Sequence, residues 1–105
     1  MGKLDISKRI SNEPTFLHIS DTMEYKVDDS KNTVFKIMEM WNDEKTAEFE
    51  KLDNTIKLAL GKKAYDEIEK AGFSIDAYKT IAISIMAVIS GVTLEEMESR
   101  FQDGQ

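Results

Sequence analysis

The sequence predicts a mainly α (α+β) domain: four to five helices around a buried central helix, preceded by a small β-hairpin. Three observations carry this. With 105 residues, 41% hydrophobic and 32% charged, the chain supports one hydrophobic core and leaves no room for a second. Between Phe16 and Val27 the apolar residues alternate, whereas beyond Asp29 they recur with a period of about 3.6. Gly61, Gly72 and Gly91 each close an apolar stripe, the place where a helix stops in a left-handed residue. The expected organisation is a single domain: residues 1–29 as tail and hairpin, 30–101 as helical core, and 102–105 as a frayed tail.

Pro14, the only proline, ends a polar opening stretch and biases Glu13 away from helical geometry, so extended chain should follow. Phe16, Leu17 and Ile19 form the first strand and Met23, Tyr25 and Val27 the second, joined through Ser20-Asp21-Thr22. A two-stranded hairpin is marginal alone, so it must pack on the helices or on a partner. Helix one carries Val34, Ile37, Met38 and Trp41 on one stripe behind an Asp29 or Ser30 N-cap. Helix two carries Phe49, Leu52, Ile56, Ala59 and Leu60 up to Gly61, and helix three, Lys62–Ala71, is short and amphipathic. In the fourth helix, residues 76–90, only Ser84 is polar between Ile81 and Ile89. Such a helix must be covered on most sides, with Ile81, Ile85 and Val88 fully buried. Its nine-residue apolar run is far short of the ~20 residues that a bilayer requires, which argues against a membrane span. A last helix starts at Thr93, where Thr93 and Glu96 form a capping-box pattern and Leu94, Met97 and Phe101 share a face.

Charge and composition exclude several function classes. Fourteen basic against twenty acidic residues give a net charge of −6, the wrong sign for neutralising phosphates, so no nucleic acid partner is expected. The absence of cysteine removes disulfides, thiolate zinc sites and a thiol nucleophile and suits a reducing cytoplasm. Met1-Gly2-Lys3-Leu4-Asp5-Ile6 lacks the apolar core of a secretory signal.

No catalytic constellation emerges. His18, the only histidine, has no second His or Cys to share a metal, and a structural or solvent-facing role is expected. Asp28, Ser30, Asn32 and Glu39 match positions 1, 3, 5 and 12 of a calcium loop. Thr33, however, stands where that loop needs glycine, and the helical stripe already begins at Val34. The acidic pairs, such as Asp66-Glu67 and Glu95-Glu96, point about 100° apart on a helix and serve as solvated surface. No glycine-rich phosphate loop and no nucleophile elbow are present. No catalytic residue, cofactor or metal is therefore expected, and the chain is not expected to be an enzyme.

What remains is apolar surface. Six methionines are spread over several elements, and flexible thioethers suit either core filling or a surface that re-packs around partners. Met40 falls off the Val34, Met38, Trp41 stripe and widens the apolar face of its helix beyond what one core side needs.

The second half resembles the tail assembly chaperone family of tailed phages and prophages of Gram-positive bacteria. The residues that carry the resemblance are Leu58-Ala59-Leu60-Gly61-Lys62-Lys63, residues 64–68, Phe73-Ser74-Ile75-Asp76-Ala77-Tyr78, Ile85-Met86-Ala87, and the ending Gly91, Glu95-Glu96, Arg100-Phe101. The match covers residues 30–101. The resemblance implies a non-enzymatic cytoplasmic protein of the bacterial host cell. It would bind the tape-measure protein, a long apolar helical chain, and keep it soluble during tail morphogenesis, with self-association possible. Under that expectation, Met40, Trp41, Met97 and Phe101 are the partner-binding residues, because periodicity makes them least needed for a compact core. The competing expectation is a small acidic phage-type inhibitor or decoy that binds a host protein. It requires a contiguous acidic face, which the interspersed 8 basic and 9 acidic residues of positions 30–72 oppose.

Overall fold

The structure, a computed structural model, describes residues 2–10 and 13–103. After a short 3-10 turn at Ser7–Arg9 come β1 (Thr15–Ser20), β2 (Met23–Val27), α1 (Lys31–Asn42), α2 (Glu48–Leu60), α3 (Lys62–Ala71), α4 (Ile75–Ser90) and α5 (Leu94–Asp103). This is the mainly helical architecture with a leading antiparallel hairpin that the periodicity predicts.

The hairpin pairs Thr15 with Val27 and Leu17 with Tyr25, and its register slips by one residue between His18 and Ser20. Strand pairing through Ser20 leaves Asp21-Thr22 as the turn, one residue shorter than expected. Two-residue hairpin turns favour positive φ, yet among the described residues only glycines have it. The extra residue in β1 supplies the added twist such a turn lacks. The inner face of the hairpin, with Leu17, Ile19, Met23, Tyr25 and Val27, joins the helical core.

Two helices organise the rest. α2 packs against α1, α3, α4 and β2, while α4 packs against α2, α5 and β1. Ile37, Ile56, Ile68 and Ile85 are the large fully buried side chains, one from each of α1 to α4. Beyond β2 the chain is tied to α2, where the Asp28 N–H donates to the Ala59 carbonyl at 2.8 Å. Gly61 alone separates α2 from α3, with φ 96° and ψ 161°, a region essentially closed to other residues. Ser74 caps α4 by accepting from the Ala77 N–H, and Thr93 caps α5 by accepting from the Glu96 N–H.

The expected details change at five places. Ser30 occupies the N-cap position of α1 but its side chain makes no cap bond. Asp28 instead accepts from the Ser30 N–H and the Thr33 hydroxyl. In α1, Met38 is exposed and Met40 half-buried, the reverse of the expected stripe. The buried meridian runs through Ile37, so Thr33 and Met40 flank it on one side and Val34 and Trp41 on the other, leaving Met38 about 100° away. Phe49 is exposed because it stands one turn before Leu52, where α2 begins to pack. In α4, Ile81 and Ile85 are buried but Val88 is only half-buried, while Ala82 and Ala87 are covered. Finally, α5 continues to Asp103, past the expected end at 101; residues 104 and 105 lie outside the described residues.

Among the described residues no single helix is long and apolar enough to cross a membrane; α4 and residues 94–102 of α5 reach that length and composition only as a pair, bent by 113°.

Candidate protein-binding surface

Two of the four predicted contact residues, Trp41 and Phe101, meet where the last turn of α1 reaches α2 and α5. Trp41 is half-buried, and its indole Nε1 donates to Thr55 Oγ1 at 2.8 Å. The Lys51 ammonium donates to the Trp41 carbonyl at 3.1 Å and lies 5.7 Å from the ring centroid. Phe101, from α5, meets the same ring edge-on, with centroids 5.2 Å apart and planes at 85°, a favoured aromatic geometry. Trp41 and Phe101 are thus brought together, and each spends part of its surface on the other. Met40 is half-buried nearby in sequence on α1. Met97 departs from its expected role. It is 4% exposed, the innermost side chain of a helix that packs on α4, and in this structure it has no surface for a partner. Its heptad-like spacing from Phe101 identified the apolar face of α5 but not which end of that face is covered.

Periodicity alone missed Phe35. Together with Met38 it leaves half of its side chain in solvent, at 55% and 50% exposure. Phe35, Met38 and Trp41 stand three apart, and a step of three residues rotates about 60° round a helix. The line therefore winds from the open side of α1 to the half-buried indole and on to Phe101. The signal in the sequence was an aromatic residue out of phase with Val34, Ile37 and Trp41.

Concave regions lined by other residues are also present. A cleft of about 290 Å³ lies between β1 and α4, lined by Leu17, Ile19, Phe73, Ile81 and Ser84. His18 stands on its rim, solvent-exposed, with Nδ1 3.8 Å from Glu24 Oε2. A larger groove of about 760 Å³ runs between the end of β2 and the end of α2.

The half-buried polar contacts among α2, α3 and α4 form a phenol and carboxylate network. Tyr78 donates to the Asp53 carboxylate across α4 and α2. Tyr65 adds a third phenol from α3, its ionisation raised by Glu69. Burial, followed by the hydrogen bond to Asp53, pushes the ionisation of Tyr78 well above the ordinary phenol range. The Glu69 hydrogen bond and then burial raise Tyr65 to about 12. Both phenols are protonated at neutral pH and serve as donors, not as bases or nucleophiles. Among the described residues no three His, Asp or Glu converge as a metal site.

No family model matches the chain, and neither a curated protein nor a solved structure is similar to it.

Proposed function

We propose that the chain is a non-enzymatic tail assembly chaperone that binds the tape-measure protein of a tailed phage or prophage in the bacterial host cytoplasm and holds it soluble while the tail assembles. One observation carries this reading: Phe35 and Met38 expose a continuous apolar line that runs through Trp41 to Phe101 on a chain of net charge −6. Contiguous apolar side chains on a monomer mark an interaction site. Spacing of one turn between anchors suits a helical segment laid into a shallow groove. The acidic remainder keeps such a complex soluble. Individual contacts of this size bind weakly, so many copies along one long chain supply occupancy and release readily when tube subunits arrive.

The test is co-expression with the tape-measure protein that, on this reading, should be encoded beside this chain's gene. The wild-type chain should raise the soluble fraction of that protein, and Phe35→Ser/Met38→Ser should lose the effect while melting like the parent. An unchanged soluble fraction with the wild-type chain overturns the reading. Raising salt should leave binding nearly unchanged. Steep loss of a bound host protein with salt instead identifies an acidic decoy.

A further inference from the structure

Residues 2–10 do not behave like a solvated leader. All of them are exposed, yet they include Leu4, Ile6 and Ile10 at 89%, 49% and 57% exposure. The segment is locally ordered, since the Ser7 N–H donates to Asp5 Oδ1 and the Arg9 N–H to the Ile6 carbonyl, both at 2.9 Å. Its charge is opposite to that of the body. Lys3, Lys8 and Arg9 stand against Asp5 alone, whereas residues 11–105 carry eleven basic and nineteen acidic residues. The radius of gyration, 15.4 Å, exceeds the ~13 Å of a compact chain of about 100 residues.

The groove between β2 and α2 complements that segment. Its lining includes Leu58 and Leu60, both half-buried, and the carboxylates of Asp28 and Asp29 beside Lys26. The Asp28 carboxylate is fixed by hydrogen bonds from Thr33 and Ser30, which also hold its pKa below the usual carboxylate value. At about 760 Å³ the groove lies in the size range, ~300–1,000 Å³, of sites that enclose a bound group. Glu13 and Pro14 line it, so the segment is rooted at the rim of its own groove. A two-fold axis beside that rim would set each root next to the groove of the other copy, which is the condition for a closed reciprocal contact.

We propose that residues 2–10 of one copy occupy the β2 and α2 groove of a second copy, giving a symmetric dimer in which Leu4 and Ile6 meet Leu58 and Leu60 and the basic pair Lys8 and Arg9 meets the acidic rim. The local order of residues 5–9 lowers the entropy lost on docking. This surface is separate from the Phe35 to Phe101 line, so the dimer stands or falls independently of the tape-measure reading.

Sedimentation of the full chain over a concentration series tests it. The wild type should dimerise, and Leu4→Ser/Ile6→Ser should weaken the dimer by about tenfold or more, given the apolar area lost from both arms, with an unchanged melting temperature at dilutions where both chains are monomeric. Lys8→Glu/Arg9→Glu should weaken it as well, and adding Asp29→Lys to that variant should restore part of the loss. Amides of residues 3–9 should gain protection from hydrogen exchange as the dimer forms. A wild-type chain that stays monomeric overturns the proposal, whether those amides are open or are protected by folding back on the same copy. A dimer indifferent to the Leu4, Ile6, Lys8 and Arg9 substitutions overturns it too, by placing the interface elsewhere.

Discussion

Trp41 and Thr55 share one buried hydrogen bond that joins α1 to α2: the indole Nε1 donates to Thr55 Oγ1 at 2.8 Å, and the same hydroxyl donates to the Lys51 carbonyl at 2.7 Å. Thr55 is the only buried polar residue in the core of the described chain, and it is fully satisfied. Thr55→Val keeps the shape but strands the indole donor. The substitution should cost about 1–3 kcal/mol, the penalty for an unpaired buried polar group. Urea unfolding followed by Trp41 fluorescence reads both the midpoint shift and the loosened indole; an unshifted midpoint would show that the bond contributes nothing.

Ile85 and Ile75 provide a matched pair on α4. Ile85 is fully buried and Ile75 half-exposed. Ile85→Ala should destabilise by about 2–5 kcal/mol through lost burial and a residual cavity, enough to unfold a marginal domain. Ile75→Ala should stay within about 0.5 kcal/mol of the parent. Thermal melting of the two variants side by side checks this, and equal melting would misplace the core face of α4.

Alkali should unfold the protein through its tyrosines. Burial and then the Glu67 hydrogen bond raise Tyr25 to about 12, and Tyr65 reaches about 12 through Glu69 and burial. Tyr78 lies higher still. A phenol whose folded pKa exceeds its ordinary value of 10.0 contributes stability that is fully present below that value and lost as pH rises through the folded one. The melting temperature should therefore hold up to about pH 10 and fall towards pH 12, with Tyr25→Phe and Tyr65→Phe each flattening the fall. Absorbance at the phenolate band should show delayed ionisation in the folded chain. On the acid side, Asp28 acts with the opposite sign, because hydrogen bonds from Thr33 and Ser30 lower its pKa below 3.8. Its contribution is present above that value and lost as pH falls through the folded one.

The sequence revealed helix starts and stops well because these are set by local chemistry. Thr93 with Glu96 and the glycines at 61, 72 and 91 all act within one turn. It revealed faces less well. Apolar period places a stripe to within about 100°, so it found Ile37 and Ile85 but exchanged Met38 with Met40 and took Met97 as open surface. Which flank of a stripe is covered depends on the neighbouring helix, and no residue within α1 or α5 records that. Pairings such as Trp41 with Thr55 and Tyr78 with Asp53 span 14 and 25 residues and exist only once helices pack. Phe35 was visible as an aromatic residue out of phase with its helix and was passed over because the stripe beside it was complete.

The bond from the Asp28 N–H to the Ala59 carbonyl, with the Tyr25 hydroxyl on Glu67 at 2.8 Å, imposes an order on biogenesis. Both acceptors emerge from the ribosome more than thirty residues after their donors. The hairpin is made first but has nothing to dock on until α2 and α3 exist, and a lone two-stranded ribbon does not persist in water. Helical pairing of α2, α3 and α4 thus precedes β1 and β2 settling, although the strands lead in the chain. During that interval Leu17, Ile19 and Val27 are bare, and the nascent chain passes through an aggregation-prone stage that lasts until α4 is made and the helices pair.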